Sequence, residues 1–313
     1  MRLRSVQAVE EGKPAPTVTD ISIEVRNASA GTNWETTRRE ILVAPHLKDP
    51  EIRGAKNVDE AFKILRKREE TGRRERLAAQ IGDTFGTLHT VHNCNSLDWM
   101  QQHEDGKFDV ILTDPPYGIG ADSFGDAGGR LRDQNHGYED SKEYWYECMR
   151  VLAREGFRIT KPAAHIYMFC DVDNFVEARQ IFSTFGWQVH RTPLIDYKLD
   201  AVRVPWPEHG PRRCWEMILY AIKGGKRITQ IYSDVIPCRG DENLGSGAQK
   251  PVALYVDLLR RSVSPGDTVL DPFAGTGPIF PAAEELKCRA TGIERREDHF
   301  AVCVERIEKL KEA

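Results

Sequence analysis

Residues Phe108 to Gly120, FDVILTDPPYGIG, constrain this chain more than any other stretch. Phe108, Val110, Ile111 and Leu112 form a short apolar, β-favouring run that stops at two prolines. Such a run bounded by a breaker predicts a buried strand. Pro115 and Pro116 have no N–H to offer a neighbouring strand, so the sheet ends there. Asp114 then stands at the carboxyl tip of a buried strand, where open α/β sheets bind ligands. The Tyr117 ring is fixed beside it.

Around this stretch, strands and helices alternate. Leu88–His92 reads as a strand that runs into a turn and short helix at Asn93–Met100. After the proline turn, residues 119–139 are rich in Gly and Asp and lack periodicity, which predicts a functional loop or a surface insertion. Asp140 or Ser141 then caps a helix to Arg154 that Gly156 ends. Ala164–Phe169 is a buried strand. Asp173 caps a helix with Phe175, Val176, Ile181, Phe182 and Phe185 apolar, closed by Gly186. Trp187–Tyr197 and Trp215–Ile222 are further strands. Gln249, Lys250 and Pro251 open a helix with Leu254, Tyr255, Leu258 and Leu259 on one face. The alternation predicts an α/β fold with a largely parallel sheet.

Residues 1–86 lie outside this pattern. Val18, Ile21, Ile23 and Val25 alternate with polar residues, as in an exposed strand. Asn57–Gln80 reads as a long helix capped by Asn57 or Asp59, with Ala61, Phe62, Leu65 and Leu77 as its apolar stripe. Lys63, Arg66, Lys67, Arg68, Arg73, Arg74 and Arg76 on its other face alternate with Glu69, Glu70 and Glu75, which favours a solvated, ion-paired surface over a phosphate-contacting one.

At 313 residues the chain can bury one large core with room for an extension. It has no run of apolar residues long enough to span a bilayer and no signal-peptide core near Met1. Seven scattered cysteines with no CxxC spacing predict a reducing, cytoplasmic setting and no disulfide framework. His89 and His92 face opposite ways on a strand, so no metal is expected. The net charge of −4 is not that of a strongly basic nucleic-acid binder, so any such affinity must be local. Over Asp196–Arg239, eight basic residues (Lys198, Arg203, Arg212, Arg213, Lys223, Lys226, Arg227, Arg239) face five acidic ones. That positive, Pro- and Gly-rich region suits phosphate contact, with Trp206 and Tyr232 available for apolar contacts.

A second motif follows. Thr268–Asp271 predicts a buried strand. Pro272, Phe273, Ala274, Gly275, Thr276 and Gly277 form a glycine turn, and a helix starts at Pro278. Gly275 and Gly277 carry no Cβ, so a ligand can approach the backbone closely. A further strand, Ala290–Ile293, ends in Glu294, which can accept two ribose hydroxyls. The last helix is Glu297–Lys311.

DPPY followed by this FxGxG turn and acidic tip resembles the β-class, permuted S-adenosylmethionine-dependent DNA adenine-N6 methyltransferases, over Leu88 to Leu310. The resemblance implies a Rossmann-like, three-layer αβα sandwich with a mostly parallel seven-stranded sheet, one strand antiparallel. It divides the chain into an extension, 1–86, and a methyltransferase domain, 87–313, with target-recognition segments at 199–214 and 223–248. Asp114, Pro115, Pro116 and Tyr117 would be catalytic. Asn95, Gln249, Lys250, Pro251, Asp271, Phe273, Gly275, Thr276, Gly277 and Glu294 would hold S-adenosylmethionine. Lys198, Arg203, Arg212, Arg213, Lys226 and Arg227 would contact double-stranded DNA. The family usually reads NxDxLE near Asn93; Asn95 replaces that aspartate and can accept only through an uncharged amide oxygen. The resemblance also allows a homodimer.

Asp114 and the Pro115 carbonyl would accept the two N–H groups of the adenine amine, with Tyr117 stacked on a flipped base. N4 of cytosine, an RNA base and a protein glutamine are rival amino groups. In the family, cytosine enzymes often carry serine, and glutamine enzymes asparagine, where Asp114 stands. A non-catalytic DNA-binding relative is a further alternative.

Overall fold

The structure is a computed structural model that describes residues 39–40, 42–68, 88–119, 140–200, 214–240 and 249–312. The exposed strand read at 17–25, the loop at 120–139 and the distal helix residues Glu69, Glu70, Arg73, Arg74, Glu75, Arg76 and Leu77 lie outside these. So do Arg203, Trp206, Arg212 and Arg213. The chain divides into two compact units, Met1–Arg76 and Leu77–Ala313.

In the first unit, a short helix Pro50–Arg53 is capped by Asp49, whose carboxylate accepts from the Glu51 N–H. Helix 58–68 follows. Of its two candidate caps, Asn57 is the one used, its side chain accepting from the Glu60 N–H at 2.9 Å. Val43, Ile52, Ala61 and Leu65 make a small core. Arg68 folds back onto Asp49 and Glu51, and Arg39 meets Asp59 at 2.8 Å.

In the second unit, nine strands form one sheet among the described residues. They are β1 Thr90–His92, β2 Phe108–Thr113, β3 Thr160–Cys170, β4 Gln188–Val189, β5 Leu194–Lys198, β6 Trp215–Lys223, β7 Val235–Cys238, β8 Thr268–Asp271 and β9 Arg289–Ile293. The order is β1-β9-β8-β2-β3-β6-β5-β7, with β4 also on β6. Every pairing outside β6 is parallel, and β3, β4 and β5 each meet β6 antiparallel. One reversed strand in a parallel sheet is the expected arrangement.

The count exceeds the expected seven for two local reasons. The run Trp187–Tyr197 is two strands, because the chain bends through His190–Pro193 before β5 begins. The segment 223–248, read as loop, contains β7, whose Pro237 is tolerated because β7 is an edge strand.

The helices are α1 Ser96–Gln102, α2 Lys142–Ile159, α3 Phe175–Thr184, α4 Val252–Arg260, α5 Ile279–Glu285 and α6 Glu297–Glu312. Leu97, Met100, Trp145, Leu152 and Phe182 from α1–α3 pack on one face of the sheet. Leu254, Leu258, Phe280, Val304 and Ile307 from α4–α6 pack on the other. The three αβα layers bury all six residues of β2. Ser141 caps α2, its hydroxyl accepting from the Tyr144 N–H. Gly156 does not end α2, which runs on to Ile159. A Cβ at 156 would lie 3.1 Å from the Ile111 side chain, so this glycine serves close helix–sheet packing. Asn174, not Asp173, is the N-cap of α3, without a side-chain bond. No helix among the described residues is long and apolar enough to cross a membrane.

Candidate active site

β2 and β8 are neighbours, with Val110 opposite Val269 and Ile111 opposite Leu270. They run the same way, so the proline turn after β2 and the glycine turn after β8 leave one rim of the sheet side by side. The two motifs, more than 150 residues apart in sequence, meet there.

At the first turn, both carboxylate oxygens of Asp114 are engaged. Oδ1 accepts from the Tyr117 hydroxyl at 2.8 Å and Oδ2 from the Lys250 ammonium at 2.6 Å. Lys250 also lies 3.2 Å from the Tyr117 hydroxyl and 3.3 Å from Glu216 Oε2. Its ammonium sits over the Phe169 ring, 4.7 Å from the centroid. Burial alone would lower the Lys250 pKa, but Asp114 and Glu216 outweigh it and hold the group above its ordinary value. Glu216 is likewise opposed by burial, yet Lys250 and Lys198 bring it down to about 2. Lys198 donates to Glu216 across the β5–β6 pair. The turn is braced from outside. Asn174 donates to the Tyr117 carbonyl at 2.5 Å, and the Asp140 carboxylate accepts the Gly118 N–H at 2.7 Å and the Ile119 N–H at 3.3 Å. Pro115 is buried and Pro116 partly so.

At the second turn, Gly275 and Gly277 have φ of +55° and +73°, which favour glycine. A Cβ on Gly277 would strike Phe280 at 2.7 Å, whereas a Cβ on Gly275 would meet nothing within 4 Å. Gly275 therefore faces open space at the rim. Glu294, at the tip of β9, accepts the Gly275 N–H at 2.8 Å through Oε2 and the Arg296 N–H at 2.7 Å through Oε1. Burial pushes its pKa up against those two donors. Burial also raises Asp271, to about 7, against the Thr113 hydroxyl and the Phe273 N–H. Tyr255 lies 3.4 Å from the other Asp271 oxygen. Thr276 is buried, and Phe273 is partly buried against the α1–α3 face. The residues fit a nucleoside ligand: a glycine cradle open to the rim, with a buried acceptor at its floor.

Several of the expected site residues make contacts of their own within the fold. Lys250 meets Asp114 rather than the glycine turn. Gln249 adjoins it, and Pro251 is the N-cap residue of α4. The Asn95 side-chain oxygen caps α1, accepting from the Leu97 N–H at 2.8 Å. Lys226 is sent to the far rim. β6 runs away from the catalytic tip, and the Lys226 ammonium reaches the Asp109 carbonyl at the start of β2, 3.2 Å away. Arg227 follows it. By contrast, Lys198 stays beside the site. The described flanks of 201–213 and of 241–248 emerge at the catalytic rim, where the Gly240 N–H bonds the Asp200 carboxylate at 3.1 Å.

Glu216, Asp196, Asn174 and Asp140 were not expected at the site. Their signal was available for two of them: LIDYK and WEMILYAIK each carry an acid inside an otherwise strand-like run. Among the described residues no group of three or more His, Cys, Asp or Glu side chains is arranged to hold a metal.

The family described as DNA methylase, covering N6 and N4 types, matches residues 108–305. The type II methyltransferase M.HpaI of Haemophilus parainfluenzae is 26% identical over 245 residues, 68% of this chain and 72% of that protein. M.BamHI of Bacillus amyloliquefaciens is 28% identical over 268 residues, 76% of this chain and 62% of that protein. Among solved structures, an M1.HpyAVI complex with S-adenosylmethionine superposes with TM-score 0.54 at 20% identity, over 70% of this chain and 98% of that one. The cytosine-N4-specific PvuII methyltransferase gives TM-score 0.51 at 14% identity, over 72% of this chain and 92% of that one. With both turns inside the matched span, this chain belongs to the N6/N4 DNA methylase family.

Proposed function

We propose that this chain transfers the methyl group of S-adenosylmethionine to N6 of adenine in double-stranded DNA, after the base has left the duplex. The observation that carries the reading is the placement of Asp114 on the same rim as the open Gly275 cradle, one strand apart. The order of the turns, catalytic before cofactor, supports the permuted β-class arrangement. Aspartate at position 114, in place of serine, favours adenine over cytosine.

Bound S-adenosylmethionine supplies a methyl group on a sulfonium whose leaving group is a neutral thioether. Gly275 admits the ligand close to the backbone, and Glu294 accepts from its hydroxyl-bearing sugar. Phe273 packs beside it. Asp114 retains lone pairs beyond those used by Tyr117 and Lys250, so Oδ1 or Oδ2 can still accept an amino N–H. The Pro115 carbonyl, fixed by the ring, accepts the second. Two fixed acceptors favour the pyramidal amine, whose lone pair is otherwise delocalised into the base. They also stabilise the positive charge that develops on nitrogen. A proton then leaves toward the Asp114 carboxylate.

Incubating the protein with DNA and labelled donor, then digesting the DNA to nucleosides for mass analysis, tests this. N6-methyl-2′-deoxyadenosine is the expected product. N4-methyl-2′-deoxycytidine would transfer the same mechanism to the other base, and no labelled DNA from any source would reject the reading.

A further inference from the structure

Asp196 is 1% exposed, yet neither of its carboxylate oxygens has a hydrogen-bond partner among the described residues. It stands on β5 directly opposite Glu216 of β6, so the two side chains share the face covered by α4. Glu216 meets Lys250, and Lys250 meets Asp114. Three carboxyls thus face two ammonium groups, Lys250 and Lys198. Lys250 is committed to Asp114 and Glu216, and Lys198 to Glu216. Asp196 is left over. Burial holds it up to about 6, with Glu216 and Asp114 pushing the same way and Lys198 and Lys250 opposing. An unpartnered buried carboxyl is costly to keep, and one that stands beside a reactive site calls for a donor that the fold itself does not supply.

We propose that Asp196 is a further ligand-contacting residue of this site, an acceptor held for an N–H donor that enters beside Asp114. Two groups of the proposed reaction have that chemistry: the exocyclic amine of the target base and the α-ammonium of the methyl donor. This rests on the proposed function and deepens it, because a purely structural acid would have been paired within the fold.

The test uses Asp196→Asn and Asp196→Leu in the full chain, with three readouts. These are the thermal midpoint without ligand, the affinity for S-adenosylhomocysteine without DNA, and kcat and KM for DNA at saturating donor. Removing an orphaned acid leaves the midpoint unchanged or raises it by a few degrees, on the order of 2–4 °C. If the partner is the donor's ammonium, S-adenosylhomocysteine binds about tenfold more weakly or worse. If it is the base amine, that affinity holds and kcat/KM for DNA falls by about tenfold or more. The proposal is overturned if both functional readouts stay within about threefold of wild type, or if they fall only together with a midpoint drop of about 5 °C or more. Should the wild-type chain methylate no DNA, the proposed function fails by itself. Titrations of S-adenosylhomocysteine and of DNA binding against the same variants still read Asp196.

Discussion

The two turns at the rim hold their acids by opposite means. At the proline turn the charge of Asp114 is met by side chains, the Lys250 ammonium and the Tyr117 hydroxyl. At the glycine turn Glu294 is met by two backbone N–H groups, and Asp271 by one N–H and the Tyr255 hydroxyl. Full counter-charge lets an acid stay ionised in a buried place, whereas dipoles compensate only partly. The first turn holds its carboxylate on a full counter-charge and a hydroxyl, and the second holds acids that gain when a ligand brings further donors.

The contrast is tested most severely at Asp114. Asp114→Ala lowers methyl transfer by about 10²–10³ or more while S-adenosylhomocysteine still binds, because the two turns divide the work. Labelled methyl appearing in DNA at the wild-type rate would dissolve the division. Glu294→Ala has the reverse signature, weakening S-adenosylhomocysteine by about 1.5–3 kcal/mol, roughly 10- to 100-fold in a calorimetric titration. Unchanged affinity would remove Glu294 from the ligand.

Asp271 sharpens the difference through pH. Its folded-state value, about 7, lies above the unfolded 3.8, so the folded chain holds the proton more tightly. The stability this confers is fully present below about pH 4 and is lost as pH rises through 7. Asn at 271 does not titrate. The stability of Asp271→Asn relative to wild type should thus rise by up to about 4 kcal/mol between pH 4 and pH 8 in urea melts without ligand. A constant gap would mean that Asp271 is not strained by burial. The smallest effect separates the two glycines. Both alanine variants pay about 1 kcal/mol for positive φ, but Gly277→Ala must also displace Phe280, so its thermal midpoint falls further. Gly275→Ala, facing open space, loses ligand affinity in excess of stability.

Both turns were legible in the sequence because each is a local event: an apolar run, a breaker, a tip residue. β2, β8 and β9 fall where their residues predict. The clasp between the turns was not legible. Lys250 and Asp114 are 136 residues apart, and only the β2–β3–β6–β5 packing brings Glu216 and Asp196 to them. Position in sequence put Lys250 with the cofactor turn it precedes, whereas its side chain crosses to the other. Gly156 misled for a similar reason. A glycine near a helix end reads as a stop, and only the Ile111 side chain across the layer reveals its packing role. Pro237 disguised β7, since a proline argues against a strand until an edge position is known. Nor does charge composition say which way a strand runs: β6 carries Lys226 and Arg227 to the end of the sheet away from Asp114.

That one reversed strand has a practical corollary. Because β6 carries the chain away from the reactive rim, the bend before β7 protrudes at the opposite pole, and Ile231 there is 97% exposed. A fluorophore or surface tether attached at Ile231 would ride on the molecule without shadowing either turn, giving an observation post from which ligand arrival could be followed.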